Sequence, residues 1–87
     1  MNIAIVDDER IELETTEIFL RVYIKKFWTD YESQIHIETF RCAGDFLTFF
    51  SPKIYRLVIL GKNMRHIVKF ICAHDVKILL LTSEGDL

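Results

Sequence analysis

The sequence places three acids in a row, Asp7, Asp8 and Glu9, directly after the apolar run Ile3 to Val6. Adjacent carboxylates at the end of a strand do one of two things: they gather a divalent cation, or they begin a helix, where their charge suits the positive end of its dipole. Without a cation Asp7 and Asp8 repel each other, which raises one of their pKa values. Lys62 either approaches them as a built-in cation or stays solvated, and solvation is the commoner outcome. His36, His66 and His74 with Cys42 and Cys72 are the other groups that could ligate a metal. The closest pair, Cys72-Ala73-His74, has no zinc spacing, so Cys72 is expected packed on a helix and His74 exposed near its end. No histidine stands beside a nucleophile and no glycine-rich phosphate loop occurs, so an enzyme is not expected.

Composition narrows the classes further. The chain has 87 residues, is 51% hydrophobic and holds only three glycines and one proline. One domain spanning 1–87 is the expectation, with more core-forming residues than a small domain easily hides. That excess points to a protein partner. A formal charge of −2 argues against direct nucleic-acid binding, which calls for a basic stripe. Two distant cysteines read as reduced, buried thiols in a cytoplasmic protein. No signal peptide is recognisable and no apolar stretch approaches the roughly 20 residues of a membrane span, so no membrane association is expected.

Short apolar runs alternate with helix-periodic segments, the order of an α/β fold on a parallel sheet. Ile3 to Val6 reads as the first strand. A helix from about Glu9 to Trp28 follows, with Ile11, Thr15, Ile18 and Val22 on one face, Glu17 four residues before Arg21, and Lys25 and Lys26 at its end. Phe19, Leu20, Tyr23, Ile24, Phe27 and Trp28 spread apolar surface over more than that face, enough for both core and contact. Ile35 to Phe40 alternates like an edge strand, Ala43 to Phe50 is a short helix stopped by Ser51 and Pro52, and Tyr55 to Leu60 is a central strand. Met64 to about Ala73 reads as a third helix and Val76 to Leu81 as a fourth strand. Right-handed crossovers favour the sheet order 2-1-3-4.

The opening Asn2-Ile3-Ala4-Ile5-Val6-Asp7-Asp8-Glu9, with Ile37-Glu38-Thr39-Phe40, Tyr55-Arg56-Leu57-Val58-Ile59-Leu60 and Ile78-Leu79-Leu80-Leu81-Thr82-Ser83 in that order, resembles response-regulator receiver domains. Those of LytTR-type transcription regulators are the nearest in kind. The resemblance covers nearly the whole chain and implies a flavodoxin-like fold. It also implies a magnesium site at Asp7, Asp8 and the backbone carbonyl of Asn63, and a phosphoryl-sensing hydroxyl at Thr82. The phosphoacceptor position, however, is Gly61. Without a side chain there, neither an acyl phosphate nor a third carboxylate ligand can form.

The family's loop after the third strand is shortened, and its fourth helix, fifth strand and fifth helix have no counterpart. The resemblance therefore implies a truncated receiver-like domain with three helices. It implies no cofactor beyond weakly held magnesium, and a phosphorylation-independent signalling or interaction role. The alternatives are a phosphoryl-accepting switch that uses a substitute residue such as Asp8, and a fragment whose only property is folding and assembly. An uncovered fourth strand would offer Val76, Ile78, Leu79, Leu80 and Leu81 to a second copy, giving a cytoplasmic homodimer through that edge. The missing fifth helix would leave parts of the first and third strands exposed.

Overall fold

The computed structural model describes residues 1–72 and 74–81. Strand β1 (Asn2–Val6) leads into α1 (Arg10–Phe27), a 3-10 segment (Thr29–Gln34), β2 (His36–Phe40), α2 (Ala43–Phe49) and β3 (Tyr55–Leu60). A second 3-10 segment (Lys62–Ile67) then runs into α3 (Val68–Ile71), and β4 (Lys77–Leu80) completes the sheet. All four strands pair in parallel in the order β2-β1-β3-β4. The chain is therefore α/β with the expected 2-1-3-4 order, a flavodoxin-like arrangement of four strands and three helices.

Alternation along β1 divides the core in two. Ile3 and Ile5 meet Leu13 and Ile24 of α1, with Ile59 of β3 beside them. Ala4 and Val6 face the other way, into a layer of Phe46, Tyr55, Val58, Leu60, Met64, Ile67 and Ile71 beneath α2 and α3. On that side the Tyr55 hydroxyl donates to the Glu38 carboxylate across β1, where Ala4 leaves room. Burial, together with the Glu38 hydrogen bond and charge, pushes the Tyr55 phenol up to about 12.

Several expectations need correction. The sequence left open which face of α1 is buried: the one carrying Ile11, Thr15, Ile18 and Val22 points to solvent, and Leu13, Leu20 and Ile24 meet the sheet. Only three residues link β1 to α1, and the Glu9 N–H is held by the Asp7 Oδ1 at 3.0 Å, so the link fixes the rotational phase of the helix. Asp7 and Asp8 do not cap α1: Glu9 is the N-cap and has no side-chain cap bond. The third helix has only four α-helical residues, preceded by six in 3-10 form. A rise of about 2.0 Å per residue, against 1.5 Å in an α-helix, lets this short segment span the return from β3 to β4.

Among the described residues, the first and third strands are largely covered on the face of α1, where only Leu57 is half-buried. Ile3, Ile5 and Ile59 are all buried, because α1 covers them, and the exposure falls on β4, where Leu79 is 51% accessible. Cys42 and Cys72 are free and exposed rather than buried. Cys42 is the N-cap of α2 and Cys72 the C-cap of α3, positions at element ends that face water. The Glu17 and Arg21 pairing is present, at 2.8 Å.

Candidate functional site

Asp7, Asp8, Gly61, Lys62 and Asn63 converge at the C-terminal ends of β1 and β3, and the three histidines and two cysteines do not gather with them into a metal-binding group. The Asp7 N–H donates to the Phe40 carbonyl at 2.9 Å and the Gly61 N–H to the Val6 carbonyl at 2.8 Å, so the sheet ladder itself sets residue 7 against residue 61. Asp7 is only 5% exposed and is the one buried charged residue among those described. Its carboxyl lies over the Gly61 Cα. A Cβ placed on Gly61 would sit 2.5 Å from the Asp7 Cγ and Oδ2 and 2.8 Å from Oδ1. Gly61 has φ −64° and ψ 163°, an extended conformation open to any residue, so close approach rather than backbone geometry is what calls for glycine.

Burial is the largest influence on Asp7 and holds its pKa above the ordinary carboxylate range. The Glu9 N–H opposes that shift, while the charges of Asp8 and Glu9 and a hydrogen bond to Asp8 add to it. Repulsion between the two aspartates is thus present but secondary to desolvation. Asp8 is exposed, and the Asn63 Nδ2 donates to both of its oxygens at 3.4 Å. Lys62 turns instead toward Glu9, its Nζ 4.0 Å from Oε1 with both side chains half exposed.

This arrangement supplies two adjacent carboxylates, hard oxygen donors of the kind magnesium takes with water in its remaining positions, with the Asn63 amide nitrogen turned toward Asp8. Position 61 adds no third carboxylate, and Asp7 already spends one oxygen on a backbone N–H. Among the described residues no three of His, Cys, Asp and Glu gather into a metal-binding group. Thr82 lies outside the described residues.

Along the far edge of the sheet, Val76, Ile78 and Leu81 are half-buried while Leu79 and Leu80 are exposed. No strand among the described residues pairs with the outer side of β4. Beside it runs an apolar groove of about 320 Å³ between α1 and β4, lined by Thr16, Phe19, Leu20, Tyr23, Ile59, Leu79 and Leu81. The sequence reading did not foresee that Asp7 and Gly61 interlock, because contact between two strand ends 54 positions apart leaves no local pattern. Nor did it say which apolar stripe of α1 meets the sheet and which faces outward.

No protein-family model matches the chain, and comparison with curated proteins and with solved structures yields no match. Among the described residues no helix is long and apolar enough to cross a membrane.

Proposed function

We propose that the protein is a receiver-like signalling module that works by protein contact and without phosphorylation. The observation that carries this reading is the closure of the Gly61 position: the place from which an acceptor side chain would project holds the Asp7 carboxyl instead. Asp7 itself is nearly inaccessible, so it does not meet a phosphoryl donor as a nucleophile. Asp8 and Asn63 stay open to solvent beside this point, as do Glu9 and Lys62, and Asp8 suits weak magnesium binding without the third carboxylate.

The contact surface in this proposal is the β4 edge, where exposed backbone donors and acceptors lie beside Leu79 and Leu80. A second copy, related by a two-fold axis and pairing its own β4 antiparallel to the first, makes a homodimer with one self-complementary patch. Incubation with acetyl phosphate and magnesium, followed by intact-mass measurement, tests the phosphorylation-independent reading. We expect no stable gain of one phosphoryl group. A gain located at Asp8 would replace this reading with that of a phosphoryl-accepting switch.

A further inference from the structure

We infer that the outer face of α1 is the seam of an antiparallel helix pair made with a second copy of this chain. The inference is independent of the β4 edge. Ile11, Thr15, Ile18 and Val22 follow one another at intervals of four, three and four, the alternation of a heptad seam. On the helix this stripe lies opposite Leu13 and Leu20, which meet the sheet. It is open to solvent: Ile11 is 71% exposed, Ile18 62% and Val22 57%. Three β-branched aliphatic side chains in one row, all in water, form a surface that association would cover. Lys25 follows at the next seam position and ends the apolar stripe at Val22.

Charge identifies the occupant and its direction. The first half of α1 holds Glu12, Glu14 and Glu17 against the single base Arg10, and the second half holds Arg21, Lys25 and Lys26 and no acid. A parallel pair would set acid against acid and base against base, whereas an antiparallel pair sets each half against its opposite. Run antiparallel, Ile11 of one copy packs on Val22 of the other and Thr15 on Ile18. Glu14 then flanks the seam opposite Arg21, and the two-fold axis repeats every contact. The register is also fixed. Slipping the pair by one heptad in one direction sets Glu14 against Glu14, and in the other direction Arg21 against Arg21. Arg21 already bonds Glu17 through Nε at 2.9 Å and Nη2 at 2.8 Å, and a guanidinium has further N–H donors to offer a second carboxylate. A seam of under two heptads is short, so the pair is weak and depends on concentration.

Charge reversal in trans tests the arrangement. Glu14 and Arg21 are both exposed, so Glu14→Arg and Arg21→Glu leave the core untouched. In sedimentation equilibrium, each variant alone should self-associate at least about tenfold more weakly than wild type, because like charges then face each other twice. Mixed in equal amounts, the two should recover wild-type association, since both facing pairs become opposite in sign. Ile18→Glu should abolish the pair. The same set is carried in the Leu80→Lys background: loss of the β4 contact lowers the overall order of assembly but leaves the recovery on mixing intact. A mixture no more associated than its two components, or variants that associate as wild type does, overturns the inference.

Discussion

Asp7 is the residue where local sequence and global packing conflict. Its carboxyl is desolvated, crowded by the charges of Asp8 and Glu9, and relieved only by the Glu9 N–H. A pKa raised in the folded state means that folding favours the protonated form. The stabilisation from that form is fully present below the ordinary aspartate value and is lost as pH rises through the folded one. Asp7→Asn keeps an oxygen for the Glu9 N–H and removes the charge. At neutral pH its thermal midpoint should exceed that of wild type by a few degrees. The difference should close as pH falls and wild-type Asp7 takes up its proton; thermal unfolding followed across pH 3 to 8 measures both effects. If magnesium occupies this point, millimolar magnesium stabilises wild type and not the variant. The acidic pair was legible from its position after β1. Its burial was not, since that depends on an absent side chain contributed by a different strand.

At the scale of elements, α1 shows how a correct pattern can leave open which surface is buried. Two apolar stripes run along this helix, and periodicity alone does not say which one meets the sheet. The three-residue link from β1 decides it. The decision can be measured by truncation, in chemical denaturation at protein concentrations low enough to exclude association. Ile24→Ala, at a buried position, should cost about 2 to 5 kcal/mol, while Ile18→Ala should stay within roughly 0.5 kcal/mol of wild type. The strands were more legible. Tyr55 to Leu60 is bounded by Pro52 before it and Gly61 after it, and its observed limits are those read from sequence. The third helix was less so, because Ile67, Val68, Phe70 and Ile71 suit a helical period whether the preceding turns are 3-10 or α. The length of chain available between β3 and β4 settles that choice, and length enters only once the sheet order is known.

Over the whole molecule, the four-stranded order was accessible from the alternation of apolar runs, and the distribution of exposure was not. Among the described residues, α1 buries Ile3, Ile5 and Ile59 on its face of the sheet, leaves Leu57 half-buried, and leaves the larger deficit at β4. The proposed β4 contact and the α1 seam are both two-fold, yet they occupy different surfaces. Two such contacts on one protomer join dimers to one another, into a closed tetramer where the two axes intersect at right angles and into an open chain where they do not. Wild-type protein is therefore expected to exceed a dimer as concentration rises. The strand contact can be isolated in Ile18→Glu protein, where the helix seam is silent. There the remaining association should be a dimer, and adding Leu80→Lys should reduce it to monomer. A well-folded Ile18→Glu monomer at all concentrations would remove the strand contact while leaving the helix inference standing.

The fit between Asp7 and Gly61 also governs which sequences can be reached from this one. A carboxyl at position 7 and a β-carbon at position 61 compete for one volume, so neither site can be changed without reference to the other. A methyl group at 61 introduced first must expel Asp7 and break its bond to the Glu9 N–H. Introduced after Asp7→Ala, it enters vacated space. The same substitution is damaging by one route and mild by the other, and an acid at position 61 can be introduced only after a change at position 7.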